Sequence, residues 1–258
     1  MFSIYATAWS FAKANLAVLV VYGALLQALD MFVESTGSSA TYTLAPWVII
    51  FYALHRAFLF GETQLLRKEK SPKRPHAMGR FFLASGAMIV PAAAMLVAIA
   101  MGILDLGWFP SDPNVMVISI MGLILGAFVL TLLFFGTALP AAASADQWGP
   151  PTSLSRGIKT WKYVLGGLLV GQVLFTACLV LIIFGLASFG LQIGSGLTGT
   201  GGINFVDAAL GLVFSTAIVF GNVLTVVVLC RAYERVAPPE IQALLEHREG
   251  KFDASVFA

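Results

Sequence analysis

The chain has 258 residues, 59% hydrophobic and only 11% charged, and its mean hydropathy is +0.89. A soluble domain carries about 25% charged residues, so this composition excludes a protein that lives mainly in water. The net charge of +2 is uninformative, whereas the placement of the charges along the chain carries most of the information.

In chain order, residues 2–12 set Phe2, Tyr5, Trp9 and Phe11 on one helical stripe, which reads as a short amphipathic helix in the membrane interface. An apolar run follows at Leu16–Phe32. A transmembrane helix needs about 20 apolar residues. No basic region precedes this run before Lys13 and no small-residue cleavage site follows it, so the first span is expected to be its own uncleaved insertion signal. Further runs lie at Leu44–Phe60, Phe81–Leu106, Val115–Leu139, Tyr163–Leu191 and Phe205–Leu229. Residues 153–162 read as a second interfacial helix, with Leu154, Ile158 and Trp161 on one face and Arg156, Lys159 and Lys162 around the other. This repeats the pattern at the start of the chain. An ancient duplication and a generic anchoring device account for it about equally well. Beyond residue 236, Pro238-Pro239 ends the last helix. A short helix is expected to restart with Pro239 in its first turn and Ile241, Leu244 and Leu245 on one side, giving a tail over residues 237–258.

The loops alternate in charge. Every Lys and Arg can be placed on one side, where eight acids accompany the fifteen bases, while the other side holds only Asp30, Glu34, Asp105, Asp112 and Asp207. Basic loops stay cytoplasmic during insertion. The expected fold is therefore all-α: six spans in three hairpins over residues 1–236, with both termini on the cytoplasmic side of a bacterial inner membrane. The largest inner loop contains RKEKSPKRPH (67–76). Residues 67–80 could attract anionic lipid headgroups, at about 1 kcal/mol per base, or serve only to fix topology. They lack the broad basic face of a nucleic-acid-binding domain.

Four polar residues within spans are informative by their depth. His55 and Arg56 lie in WVIIFYALHRAFLF, roughly 10 Å from the inner boundary at 1.5 Å per residue. A charge at such depth costs about 2.5–3.5 kcal/mol on insertion scales unless it finds a partner. Gln172 and Asn222 share that depth, each nine or ten residues from the nearest inner base. The four either converge on a polar pocket, with Arg56 pointing inward to Gln172 or Asn222, or Arg56 snorkels to the headgroups while the amides bond neighbouring helices. Gly122 and Gly126, and Gly167 and Gly171, form GxxxG strips suited to close helix packing, between the fourth and fifth spans or between copies. Cys178 and Cys230 read as small core residues without a disulfide. The glycine-rich Gly194–Gly202 lacks the strand and lysine of a phosphate loop and reads as an outer connection.

No catalytic residue, cofactor or metal is expected. No carboxylate lies at mid-depth for a proton relay, His55 is the only histidine in a span, and neither HExxH nor a Ser–His pattern occurs.

The segment ALPAAASADQWGPPTSLSRGIKTWKYVLGGL (Ala138–Leu168) and the terminal CRAYERV (Cys230–Val236) resemble a group of bacterial six-span membrane proteins. The group includes the YciC-like proteins and the membrane domain associated with some glycerophosphodiester phosphodiesterases. The resemblance covers mainly the C-terminal half and implies a six-span inner-membrane fold. It implies no phosphodiesterase activity, because the catalytic domain is absent from this sequence. Two functions fit: a carrier or homeostasis protein handling a solute or lipid at the polar layer, or an accessory subunit of a larger membrane complex.

Overall fold

The computed structural model describes residues 2–36, 44–60, 77–105, 113–189 and 204–246, and every regular element among them is helical. In chain order these are α1 (Phe2–Ala14), α2 (Leu16–Thr36), α3 (Leu44–Leu59), α4 (Met78–Asp105), α5 (Pro113–Phe135), α6 (Ala138–Ala143), α7 (Pro150–Leu168), a π-helical turn (Leu169–Val173), α8 (Leu174–Ser188), α9 (Phe205–Glu234) and α10 (Pro239–Glu246). Four helical stretches are long and apolar enough to cross a membrane: Leu16–Val33, Met78–Gly102, Pro150–Leu186 and Phe205–Glu234. Pro46–Leu59 and Gly122–Phe135 are shorter apolar helices within the other two expected spans. The basic cluster at 67–76 and the glycine-rich stretch at 194–202 lie outside the described residues.

The bundle is organised around α9, which packs against α1, α2, α3, α6 and α7. Its C-terminal half is apolar on every side, and Val223 to Cys230 is an unbroken buried run. Such a run needs neighbours on every side, which the surrounding helices supply. Its start is fixed by Asn204, whose side chain accepts from the backbone N–H groups of Val206 and Asp207 at 3.1 and 3.4 Å.

Two expectations about element boundaries are corrected. The fourth span does not run to Leu139. α5 ends at Phe135, and after Gly136 and Thr137 the chain turns into α6, every residue of which is buried. A Cβ at Gly136 would fall on the carbonyl of Leu132 and 2.6 Å from Leu229 Cδ2, so the break brings backbone against α9. Pro140 is tolerated because it lies in the first turn of α6, where no helical N–H is required.

Residues 153–162 are not a separate helix. α7 starts at Pro150-Pro151 and passes through Lys162 and Tyr163 without interruption, then continues by the π-turn into α8. Nothing between Ser153 and Leu168 can stop a helix. The expected apolar face is the one turned away from the bundle. Leu154, Ile158 and Trp161 are exposed, whereas Ser153, Arg156, Gly157, Thr160 and Val164 are buried. In a lipid solvent the apolar face has no reason to turn inward, and small and polar side chains mediate helix contacts instead.

α1 is a distinct helix joined to α2 through the buried Asn15, whose Nδ2 donates to the Phe11 carbonyl at 2.9 Å. Its inward face is Ile4, Ala8, Phe11 and Ala12, and Trp9 of the expected stripe is exposed, its ring edge-on to Phe220. Cys230 is buried in the core, but Cys178 is exposed on α8. α8 is apolar all round with one side left open, as a lipid-facing helix can be.

The glycine strips divide. A Cβ at Gly167 would stand 2.8 Å from Val228 Cγ1, and one at Gly171 would meet Leu224 Cβ at 3.8 Å, so this pair packs on α9. A Cβ at Gly122 or Gly126 would meet nothing within 4 Å. The contact between α5 and α7 is made instead at Gly157, where a Cβ would collide with the backbone of Phe134.

Candidate functional site

The four polar residues expected to share a layer are held by separate sets of bonds. His55 is fully buried, with Nδ1 2.8 Å from the Phe51 carbonyl and its ring 5.3 Å from that of Phe81. Its Nε2 is buried without a hydrogen-bond partner. Arg56 donates to the Tyr52 hydroxyl at 3.3 Å, and its guanidinium lies 5.2 Å from the Phe60 ring centre. Gln172, in the π-turn, accepts from Thr225 at 3.2 Å and lies over Gly221. Asn222 follows Gly221 on α9 and has its Nδ2 buried without a partner. Thus Gln172 is bonded to α9 close to Asn222, and no described hydrogen bond joins either of them to His55 or Arg56. Among the described residues no group of three or more His, Cys, Asp or Glu side chains gathers as a metal site would require.

The strongest polar cluster was not anticipated from the sequence. It begins at the end of α6, where the Asp146 N–H donates to the Ala141 carbonyl at 2.9 Å and that of Ala145 to Ala142 at 3.2 Å. This reversal places Ala145 at φ 62°, a conformation glycine usually supplies. It projects Asp146 at Arg156 of α7, 2.7 Å away, with side chains only 11% and 9% exposed. The Tyr233 hydroxyl of α9 donates to the same carboxylate oxygen at 2.7 Å and meets Ser144 Oγ at 3.0 Å. The other carboxylate oxygen accepts from the Gln147 N–H at 2.6 Å. Arg156 also donates to the Gln147 carbonyl at 2.7 Å and lies 5.3 Å from the Tyr233 ring centre. Arg80, at the start of α4, donates to the Ala145 carbonyl at 2.8 Å. Both carboxylate oxygens are thus engaged from within the protein. The cluster is a clamp tying α4, α6, α7 and α9 together. It also joins the two segments, Ala138–Leu168 and Cys230–Val236, that carry the family resemblance.

One side of the same end of the bundle is open. A cavity of about 500 Å³ lies between α1, α7 and α9, with Lys162, Arg231 and Arg235 in its wall beside Tyr163, Thr7 and Ile4. Such a volume is within the range of small-molecule sites. Arg231 pairs with Glu234 at 3.4 Å. Arg235 stacks on Tyr163, with its guanidinium carbon 3.8 Å from the ring centre. α1 is held over the cavity edge by the Tyr5 hydroxyl, which donates to the Val170 carbonyl. That carbonyl belongs to the π-turn, whose altered bonding leaves backbone groups available to outside partners. The sequence reading placed Lys162 on an interfacial helix and Arg231 and Arg235 at the inner end of the last helix, without bringing the three together. The signal that could have found them was a spacing of four between Arg231 and Arg235, which puts both on one face of a helix.

No protein-family model, curated protein or solved structure matches the chain.

Proposed function

We propose that this chain is a six-span integral protein of the bacterial inner membrane, with both termini cytoplasmic, that handles a lipid or small amphipathic solute in transport or membrane homeostasis without catalysing a reaction. The cavity between α1, α7 and α9 carries this reading. It combines a polar, cationic wall with apolar surface at one end of a bundle whose outer faces are apolar. A site that opens beside lipid suits a molecule with a charged head and an apolar body. Support for six spans comes from the two shorter apolar helices at the expected positions of the second and fourth. The proposed orientation follows from the confinement of the bases to one side.

A second reading, an accessory subunit of a larger membrane assembly, is favoured by one observation. Gly122 and Gly126 form a strip on α5 that no part of this chain covers among the described residues, and such strips admit a partner helix closely. Purification in mild detergent, with mass analysis of everything that co-purifies, separates the two. A lipid or small molecule retained in fixed ratio is the expected result. A stoichiometric protein with no retained small molecule would favour the subunit reading instead.

A further inference from the structure

We infer that the cavity between α1, α7 and α9 is a binding site for a phosphate-bearing anion, with the doubly charged phosphomonoester headgroup of a lipid as its best match. The inference deepens the lipid-handling reading and rests on it for the lipid portion of the ligand.

The charge balance points to an anion. Three cationic side chains, Lys162, Arg231 and Arg235, meet in one wall. Glu234 pairs with Arg231 at 3.4 Å, and among the described residues no carboxylate forms an ion pair with Lys162 or Arg235. Three like charges around a partly enclosed space repel one another more strongly than they would in water. An anion of about two charges would neutralise what Glu234 leaves, and a phosphomonoester carries close to that near neutral pH, as a phosphorylated side chain does. A phosphodiester carries one charge and would leave the wall positive.

Geometry points to phosphate in particular. Stacking on Tyr163 occupies the flat face of the Arg235 guanidinium and leaves its in-plane N–H groups free to address oxygen atoms as a fork. Paired N–H donors of this kind match phosphate oxygens, while a lysine such as Lys162 adds a movable point charge. The rest of the lining suits the part of a lipid that adjoins its headgroup. Ile4 and Val227 are apolar, and Gly166 and Gly167 contribute no side chain. Glycerol carbons and the first methylenes could lie there without displacing any hydrogen bond. Position fits as well, because bases near the inner ends of spans lie where lipid phosphates are found.

The test uses the full chain, purified in mild detergent, stripped of lipid and titrated by native mass spectrometry. The probes are dioleoyl phosphatidic acid, dioleoyl phosphatidylcholine, glycerol 3-phosphate and inorganic phosphate. The phosphatidic acid should bind at one site at least tenfold more tightly than the phosphatidylcholine. The double variant Lys162→Gln/Arg235→Gln should lose at least tenfold, and Lys159→Gln, an exposed base outside the cavity, should lose nothing. Arg235→Lys keeps the charge but not the fork, and an intermediate loss is expected even if the double variant fails to fold. Displacement of the lipid by glycerol 3-phosphate or phosphate at similar concentrations would support the site while identifying a soluble phosphate as its ligand. Equal binding of both lipids, or phosphatidic acid binding unchanged in a folded Arg235 variant, would overturn the inference. If the stripped protein binds none of the four while the unstripped protein retains some other lipid or solute, the inference fails and the broader lipid-handling reading survives.

Discussion

Arg156 and Asp146 illustrate how an ion pair is kept in an interior that offers little water. Each would be costly alone, and the pair is tolerated because Tyr233, the Gln147 backbone and the Tyr233 ring complete its bonding. Removing one partner exposes the cost. Asp146→Ala should destabilise the protein by about 3–5 kcal/mol, because it leaves a buried guanidinium uncompensated. Asp146→Ala/Arg156→Met should recover most of that loss by removing the charge along with its partner. Tyr233→Phe should cost about 1.5–3 kcal/mol, the range for a hydrogen bond to a charged group. Thermal unfolding in detergent measures all three, and a double variant no more stable than Asp146→Ala would mean that the pair does not act as a unit. None of this was legible beforehand. Asp146 and Arg156 are ten residues apart across two prolines, and Tyr233 is 87 residues further on from Asp146, so only the fold brings them together. The four polar residues that depth alone singled out were identifiable as unusual. Depth is one coordinate, however, and angular position around each helix decides which of them meet.

At the scale of elements, glycine position separates contacts that look alike in sequence. Gly157 sits against the Phe134 backbone, which cannot move aside, whereas nothing stands near Gly126. Gly157→Ala should therefore destabilise by about 1–3 kcal/mol, as overpacked contacts do. Gly126→Ala should be neutral or stabilising by up to about 1 kcal/mol, since alanine is the better helix former. Equal effects in a thermal-shift measurement would contradict the α5–α7 contact. The spacing rule for small residues recognised strips but not which of them had a neighbour. The helical periodicity of Leu154, Ile158 and Trp161 was read correctly as one face, and that face is turned outward. Periodicity reports that a helix has two faces, and the surrounding solvent decides which one turns inward. The apolar runs and the restart at Pro239 were legible because each depends on local composition alone.

For the whole molecule, the question is whether α3 and α5 cross the membrane along with the four longer helices. With six crossings, the start of α4, the turn before α7 and the ends of α3 and α9 all lie on one side. With only four, the start of α4 would lie on the opposite side from the turn before α7. Contacts within the bundle favour the first arrangement. Arg80 at the start of α4 reaches the Ala145 carbonyl, Asp146 beside it meets Tyr233 near the end of α9, and the Arg231 guanidinium lies 5.9 Å from the ring centre of Phe58 near the end of α3. Single cysteines placed at Ser71, Ser111 and Gly196 test this, after Cys178→Ala and Cys230→Ala have removed the native thiols. An impermeant thiol reagent added to intact cells should label the Ser111 and Gly196 positions, and the Ser71 position only after the membrane is opened. Four crossings with the same orientation at Gly196 would instead expose Ser71 and protect Ser111. Labelling of Ser71 alone would reverse the orientation, because the basic side of the protein would then face outward.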